Sequence, residues 1–534
     1  MKQKSLYSQD LWDRFLKKTG NSKEDFELKK YPQFDPYFDF LNQSDKLKVL
    51  VEDPTLKSVS EHSFLPFIKI LTKTPRYRYQ DNISAYKLET KIRPISFASH
   101  FDTYLYAYYS FALTEKYQDY IKTKGFDEAV LAYRTDLNGK CNIQFAKEAF
   151  DEVKSLVNSK DKCAAIALDI TGYFDNIDHS KLKEKWSKVI DENELPIDQY
   201  KVFRSLTKYS YVRMHSILRH FDINLNKKRK LGERWNTLLD LIPHNIAGSK
   251  FIDKFNLLRK RNLLVTNRPK VLNNGSEESR GIPQGSSMSA VLSNIYLIDF
   301  DEWLYNLGKK EGFTYYRYCD DLLVICEIQE AKRLNELILD EIKKYKLKIQ
   351  DRKTEHLIFQ KNSKNVVRAF NQKKIIKENI KSLTPQNEQR FYKNLQYLGF
   401  EFNGQNIYIR PGSLSRYFRK MKGRIVKSIM MAYSNKGKSD KIFKKQIYER
   451  YSHIGKRNFL SYARNAAKKT YSNSKGQVFD GMDSLSIKRQ LSAHFGIIER
   501  EIRKTSFQRF SQEDEKIKTR KQKKKSRKKR ILKL

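Results

Sequence analysis

Hydrophobic residues along the first 80 positions recur at roughly helical spacing, as in LWDRFLKKTG and YPQFDPYFDFL, and are interrupted by Pro32, Pro36, Pro54 and Pro75. That pattern predicts short helices separated by turns. A short basic strand, KIRPI (91–95), then leads into an aromatic helix, and AVLAYR (129–134) leads as a strand or loop into another. The pattern changes at CAAIALDI (163–170), a nearly unbroken apolar run that ends in an acid. Runs of this kind form central strands covered on both faces. Residues 181–270 return to a helical, basic pattern, with KKRK (227–230) as an exposed loop. A Gly/Ser turn, RGIPQGSSMS (280–289), opens a long helix, and FTYYRYCDDLLVICEI (313–328) reads as two strands around a Cys-Asp-Asp turn. Beyond Gly399 the chain becomes helical and basic. There Tyr417, Met421, Ile425 and Ile429 form one apolar helix face, surrounded by Arg416, Arg419, Lys420, Lys422, Arg424 and Lys427.

Composition narrows what such elements serve. Lys+Arg 106 against Asp+Glu 62 leaves a net charge of +44 over 534 residues, an excess that calls for a polyanionic partner, nucleic acid first. With 39% hydrophobic and 13% aromatic residues the chain is folded. Its 4 cysteines include no C-x-x-C pair, which fits a reducing compartment and argues against a structural zinc site. No signal peptide or membrane-length apolar run is present, so the expectation is a cytoplasmic protein with no membrane partner.

The candidate chemistry lies in the acids. Asp169 ends the apolar strand, and Asp320 and Asp321 occupy the hairpin turn, so all three converge if those strands are neighbours in one sheet. Clustered carboxylates repel, and divalent cations reconcile them; Mg²⁺ takes one or two carboxylates together with substrate phosphate oxygens. This is the wiring of two-metal phosphoryl transfer. An Asp-Asp pair at a turn is commonly structural, because Asp favours turns for its own hydrogen bonding, so the surrounding sequence decides.

The ordered series DITGYFDNID (169–178), RGIPQGSSMSAVLSNIYL (280–297), YRYCDDLLV (316–324), LKIQDRKT (347–354) and LQYLGFEF (395–402) resembles the palm motifs of reverse transcriptases, and KIRPI and AYR (132–134) resemble their fingers motifs. The resemblance covers about residues 85–405. It implies an α+β right-hand polymerase with fingers, a palm built on an antiparallel sheet and a helical thumb, with helical N- and C-terminal extensions. It also implies that Asp169, Asp320 and Asp321 are catalytic and hold two Mg²⁺ ions, Mn²⁺ being an alternative, with Ile170 lending a backbone carbonyl. Nucleotide contacts would fall to Lys91, Arg93, Phe174, Gln284, Gly285 and Lys353: the two cations on the triphosphate, Phe174 as a gate against a 2′-hydroxyl, and Lys353 as proton donor to pyrophosphate. Tyr397, Leu398 and Gly399 look like the primer grip. Arg134, Arg416, Arg419, Lys420, Arg424, Arg457, Tyr462 and Arg464 are candidate nucleic-acid contacts.

The expected domains are a helical extension at 1–80, fingers at 81–160, a palm at 161–404 carrying the 181–270 insertion, a thumb and RNA-binding region at 405–515, and a disordered basic tail at 516–534. That tail holds 12 Lys/Arg and no acid, which leaves +32 of the +44 for residues 1–515. The stretch RNFLSYARNAAK (457–468) resembles the C-terminal helices of bacterial defence-associated reverse transcriptases, whose partners are an RNA template, often a dedicated non-coding RNA, the DNA product and dNTPs. An intron-type reverse transcriptase with maturase function, and an RNA-binding scaffold with a vestigial palm, remain as alternatives. The oligomeric state cannot be read from these residues.

Overall fold

The computed structural model describes residues 5–20, 31–80, 85–224, 237–242, 250–271, 277–433, 442–473 and 476–509. The KKRK segment and the 516–534 tail lie outside these residues. The chain divides into two compact units. The first comprises Met1–Asp136, Ala167–Val324 and Lys332–Thr354; the second comprises Leu137–Ile166, Ile325–Ala331 and Glu355–Leu534.

In the first unit, the helix His100–Thr123 starts where the Ser99 side chain accepts the Asp102 amide at 3.0 Å. Tyr104, Leu105, Tyr108, Tyr109, Leu113 and Tyr117 are all buried, so the helix is apolar on every side and must be surrounded by protein. The N-terminal helices Gln9–Gly20, Phe40–Val51 and Lys57–Glu61 form as the spacing suggests. Phe15 ties two of them together, meeting Tyr108 edge-on at 5.5 Å and Phe40 at 5.8 Å.

Residues 67–80 depart from the helical expectation. They form a long strand, β1 (Phe67–Gln80), paired antiparallel with β2 (Ala85–Phe97) so that Thr72 faces Arg93 and Thr74 faces Lys91. Among the described residues, the first three of β1 pair on the other side with the parallel strand β4 (Ser210–Arg213). Beyond Lys69 the described strands form a two-stranded ribbon of β1 and β2, where Pro75, which lacks an N–H, is tolerated. The sheet order is β2-β1-β4-β5, with β5 at Leu264–Thr266. The 181–270 segment is thus not wholly helical: two of its strands complete this sheet. A core of Phe34, Ile68, Val212, Ile217, Leu238 and Leu258 packs around it.

The strand β3 (Lys162–Asp169) forms where the apolar run predicts, with Cys163–Ile166 fully buried. It starts in the second unit and ends in the first. In the first unit its end lies beside β9 (Asp321–Cys326), which in turn neighbours β8 (Thr314–Tyr318). In the second unit its start lies beside β10 (Glu355–Lys361), followed by β11 (Val367–Asn371). Three small sheets remain among the described residues, one of them the antiparallel pair Thr470–Ser472 and Val478–Asp480. β6 (Lys270–Val271) pairs with β7 (Glu277–Glu278), and β12 (Leu395–Tyr397), β13 (Phe400–Phe402) and β14 (Ile407–Ile409) form a small antiparallel sheet. The region after Gly399 is therefore strand before it is helix. In the long helix Pro411–Ala432, Tyr417, Met421, Ile425 and Ile429 are buried as their spacing predicts, the last three within a cluster that includes Ile447, Ile498 and Ile502. No helix among the described residues is long and apolar enough to cross a membrane.

One polar interaction lies deep in the first unit. The side chains of Arg317 on β8 and Asp301 on the helix Ile298–Glu311 are both fully buried. Arg317 Nε donates to Asp301 Oδ1 at 2.7 Å, and Tyr315 Oη donates to the same oxygen at 2.8 Å. Burial works against the guanidinium charge, but the adjoining carboxylate overrides it and holds Arg317 protonated, well above its ordinary pKa. A third bond from Arg317 Nη1 reaches the Cys319 carbonyl at 3.2 Å, at the turn before Asp320. Removing one partner of such a pair strands the other without compensation, so Arg317→Met is expected to destabilise the first unit by roughly 3–5 kcal/mol, while Arg317→Met/Asp301→Leu recovers much of that loss. Urea denaturation of the three proteins measures the difference; equal stability of the single and double variants would contradict it.

Candidate active site

The geometry starts from backbone. Ile170, the residue after β3, donates its amide to the Asp320 carbonyl at 2.9 Å, which sets Asp169 alongside the Cys-Asp-Asp turn. On the other side the Gln350 amide donates to the Asp169 carbonyl at 2.8 Å, and the Thr171 amide to the Lys348 carbonyl at 2.8 Å. Three of the sequence motifs therefore meet at Asp169–Thr171. At the turn, Cys319 has a φ of +58°, a left-handed conformation that costs a non-glycine residue free energy. The Arg317 bond to its carbonyl and the Tyr133 hydroxyl, 3.6 Å from Cys319 Sγ, hold it there.

Asp169, Asp320 and Asp321 are all half-buried. The carboxylate of Asp169 is contacted by the Lys353 ammonium, which places that lysine at the centre of the site. Among the described residues no group of three or more His, Cys, Asp or Glu side chains forms a ready-made metal cage. The donors present are hard carboxylate oxygens, which suit Mg²⁺, an ion that draws much of its ligand set from water and substrate phosphate.

A second knot joins the Gly/Ser turn to the rest of the first unit. The Ile282 amide donates to the Phe174 carbonyl at 2.9 Å, the Gly281 amide to the Ile177 carbonyl at 2.8 Å, and the Ser96 amide at the end of β2 to the Gln284 carbonyl at 2.8 Å. Phe174 is thereby fixed relative to Gln284, and both relative to the strand that carries Lys91 and Arg93. Those two cations lie two residues apart and so share one face of β2. Gly285 has a φ of +118°, and a Cβ there would lie 2.7 Å from the Ser96 carbonyl oxygen, so no other residue fits without displacing the turn.

Several of these supports were not singled out from the sequence. His179 Nε2 lies 2.8 Å from the Gly281 carbonyl, and Asn267 donates to the Thr207 carbonyl at 2.9 Å and to the Arg280 carbonyl at 3.3 Å. His179 belongs to the segment right after the quoted DITGYFDNID motif, a signal that could have marked it. Lys69 on β1 is another: its ammonium lies 3.4 Å from the Tyr211 ring centroid and 5.5 Å from that of Tyr209. Burial pushes its pKa down to about 8, against the opposing field of Asp175, the neighbour of Phe174.

Arg134 departs from its expected role. Its side chain is 1% exposed and is taken up by Asp136 at 2.7 Å and Asp127 at 3.5 Å, with a further bond to the Val130 carbonyl at 3.3 Å. A guanidinium spent in this way holds a loop together and is closed to nucleic acid.

The remaining candidates lie in the second unit. Tyr397 ends β12, and Leu398 and Gly399 form a two-residue turn with φ of +45° and +93°, after which Phe400 pairs back with Tyr397. Two positive φ values in such a loop match the twist of a tight hairpin. Arg416, Arg419 and Lys420 are exposed on the long helix, while Arg424 is half-buried and donates to Gln446 at 2.6 Å. Arg457 and Arg464 are exposed at the two ends of the helix Phe459–Ala467, and Tyr462, half-buried on it, lies 6.1 Å from the Phe400 ring.

Comparison with known proteins follows the same lines. Residues 240–402 match the family model described as reverse transcriptase (RNA-dependent DNA polymerase). That span contains the Gly/Ser turn, the Cys-Asp-Asp hairpin, LKIQDRKT and LQYLGFEF, and leaves Asp169 upstream. No curated protein matches the chain. Among solved structures, apo telomerase of Candida tropicalis truncated from its C-terminal domain aligns with a TM-score of 0.32 and 8% identity, covering 70% of this chain and 61% of that one. Telomerase of Candida albicans in complex with a fragment of telomeric RNA aligns with a TM-score of 0.30 and 13% identity, covering 73% of this chain and 56% of that one. The chain thus spans less than two thirds of either telomerase. Residues 240–402 are thus similar to a reverse transcriptase domain, the domain type of RNA-dependent DNA polymerases.

Proposed function

We propose that the chain copies a bound RNA into cDNA by nucleotidyl transfer from dNTPs. The observation that carries this reading is the bond between the Ile170 amide and the Asp320 carbonyl, which sets the acid ending β3 beside the acids of the hairpin turn. Asp169, Asp320 and Asp321, with the Ile170 carbonyl, would hold the two Mg²⁺ ions of such a reaction. When bound, those ions supply positive charge at the attacking 3′-hydroxyl and the departing pyrophosphate.

The other roles belong to the chain itself. Lys91 and Arg93 neutralise and orient the triphosphate. The Gln284–Gly285 turn offers bare backbone to the nascent base pair, and Phe174 sits under the sugar, where its ring excludes a 2′-hydroxyl. The Lys353 ammonium, already at the Asp169 carboxylate, is poised to pass a proton to pyrophosphate. Tyr397, Leu398 and Gly399 hold the primer end. Arg416, Arg419, Lys420 and Arg424 follow the duplex backbone, and Arg457, Tyr462 and Arg464 take single-stranded RNA. The setting we favour is the bacterial cytoplasm and antiviral defence with a dedicated non-coding RNA as template, supported by the resemblance of residues 457–468 to defence-associated enzymes.

The chain, purified with the nucleic acid that accompanies it and supplied with dNTPs and Mg²⁺, is expected to yield DNA complementary to that RNA. Asp320→Ala/Asp321→Ala is expected to lower synthesis at least about a hundredfold, as loss of transition-state charge stabilisation does. Equal product from both proteins would sink the polymerase reading. A separate measurement addresses the sugar gate: Phe174→Ala should reduce the preference for dNTP over rNTP by about ten- to a hundredfold, the scale on which a pocket discriminates one hydroxyl. Unchanged selectivity would assign Phe174 to the core instead.

A further inference from the structure

A cavity of about 540 Å³ opens in the first unit between residues 63–67, 205–210 and 252–264, and none of its lining residues belongs to the catalytic turns. Its size falls within the roughly 300–1,000 Å³ of small-molecule sites. The walls are aromatic and pre-set. Phe64 stacks on Tyr106 at 5.1 Å and 19°, Phe67 lies parallel to the same ring at 6.0 Å, and Tyr209 stands edge-on to Phe67 at 5.7 Å. Phe255 is fixed in turn by an edge contact with Phe34 at 5.5 Å. The rim is cationic: Lys208 and Arg259 are both exposed, and neither meets a carboxylate among the described residues. The Arg259 guanidinium lies 5.9 Å from the Phe255 ring centroid.

Rings that take a flat π-face, beside exposed cations that take a phosphate, are the chemistry of nucleotide binding in single strands. An apolar ligand would leave the two cations without a role, and an inorganic anion would leave the rings without one. Position adds a second argument. Tyr209, a wall of the cavity, also faces the Lys69 ammonium, which lies in the field of Asp175 beside Phe174. Tyr209 thus links the cavity wall, through Lys69, to the segment that carries Phe174.

We propose that this cavity holds one unpaired nucleotide of a single strand, its base among Phe64, Tyr209 and Phe255 and its phosphate against Lys208 and Arg259. The strand is the template not yet copied, a clause that rests on the polymerase reading above; the binding itself does not.

The test is photocrosslinking of the full-length chain to a 4-thiouridine RNA of about twelve nucleotides, within the usual single-strand site size, with adducts mapped by peptide mass spectrometry. Adducts are expected on the peptides carrying Phe64, Tyr209 or Phe255. They should fall about tenfold in Lys208→Glu/Arg259→Glu, whose exposed side chains leave the core intact, and by a similar factor in Phe64→Ala, the scale of losing one base stack. Adducts confined to other peptides, or undiminished in the charge-reversed chain, would overturn the proposal. So would displacement of the RNA by uridine monophosphate at equal nucleotide concentration, which would make this a site for free nucleotides. Primer extension separates the two readings. On a long template overhang the charge-reversed chain should need about tenfold more template, and on a single-nucleotide overhang it should match wild type. A wild-type chain that crosslinks as expected but extends no primer would leave the cavity standing and remove the polymerase.

Discussion

The buried pair of Arg317 and Asp301 is the constraint on which the Cys-Asp-Asp turn depends. A charge taken wholly out of water must be matched at close range, and here one guanidinium is matched on every side: Asp301 takes two of its donors, and the Asn294 side chain at 3.3 Å and the Cys319 carbonyl share a third. Because Arg317 lies on β8 and Asp301 on the preceding helix, satisfying the charge fixes strand against helix. Because one donor is spent on Cys319, the same requirement fixes a left-handed residue next to Asp320. Backbone bonds from Arg317 to Ala129 and Leu131 then attach the 129–131 segment to the same strand. A misplaced turn would leave an unsatisfied charge in the core, so the position of the acids is protected by a penalty much larger than any single hydrogen bond provides.

A second layer of control is carried by main chain. The turn at Gln284–Gly285 touches β2 through Ser96 and the 174–177 segment through Ile282 and Gly281, and in each case the contact is an amide meeting a carbonyl. Such contacts need backbones to approach closely, which is why glycine stands at 281 and 285: a Cβ at Gly281 would lie 3.1 Å from the Asp175 carbonyl oxygen, and one at Gly285 closer still to Ser96. Phe174 and Gln284 are thus mounted on a main-chain network whose close approaches depend on the absence of a Cβ at 281 and 285.

What the sequence reveals follows from which of these forces leave a pattern. β3 was legible because burial on both faces demands an unbroken apolar run, and the face of Pro411–Ala432 was legible because one-sided burial demands four-residue spacing. β1 was not: FIKILTKTPRYRYQ alternates apolar and charged residues as a two-faced ribbon should, but Pro75 reads as a break unless one knows that the strand is unpaired on one side beyond Lys69. β4 and β5 are too short, at four and three residues, to carry any period. The acids and the Gly/Ser turn could be picked out by residue type and spacing. Their supports could not, since Arg317, His179 and Asn267 act through partners far away in the chain, and a charged residue announces its charge without announcing which way it points.

That last limit bears on the net charge. An excess of +44 tempts one to treat every arginine as a ligand for phosphate, yet Arg134 and Arg317 are matched internally by Asp136, Asp127 and Asp301, and add nothing to the outer field. Cations that fold the protein and cations that meet a polyanion differ only in whether an acid has been placed beside them. By that measure the cations of the described residues open to a polyanion are side chains such as Arg416 and Lys420 on the long helix and Lys208 and Arg259 at the cavity rim, all exposed. Cations that are exposed and unmatched release counterions when phosphate arrives, so the salt dependence of any RNA binding should count them rather than the formal total.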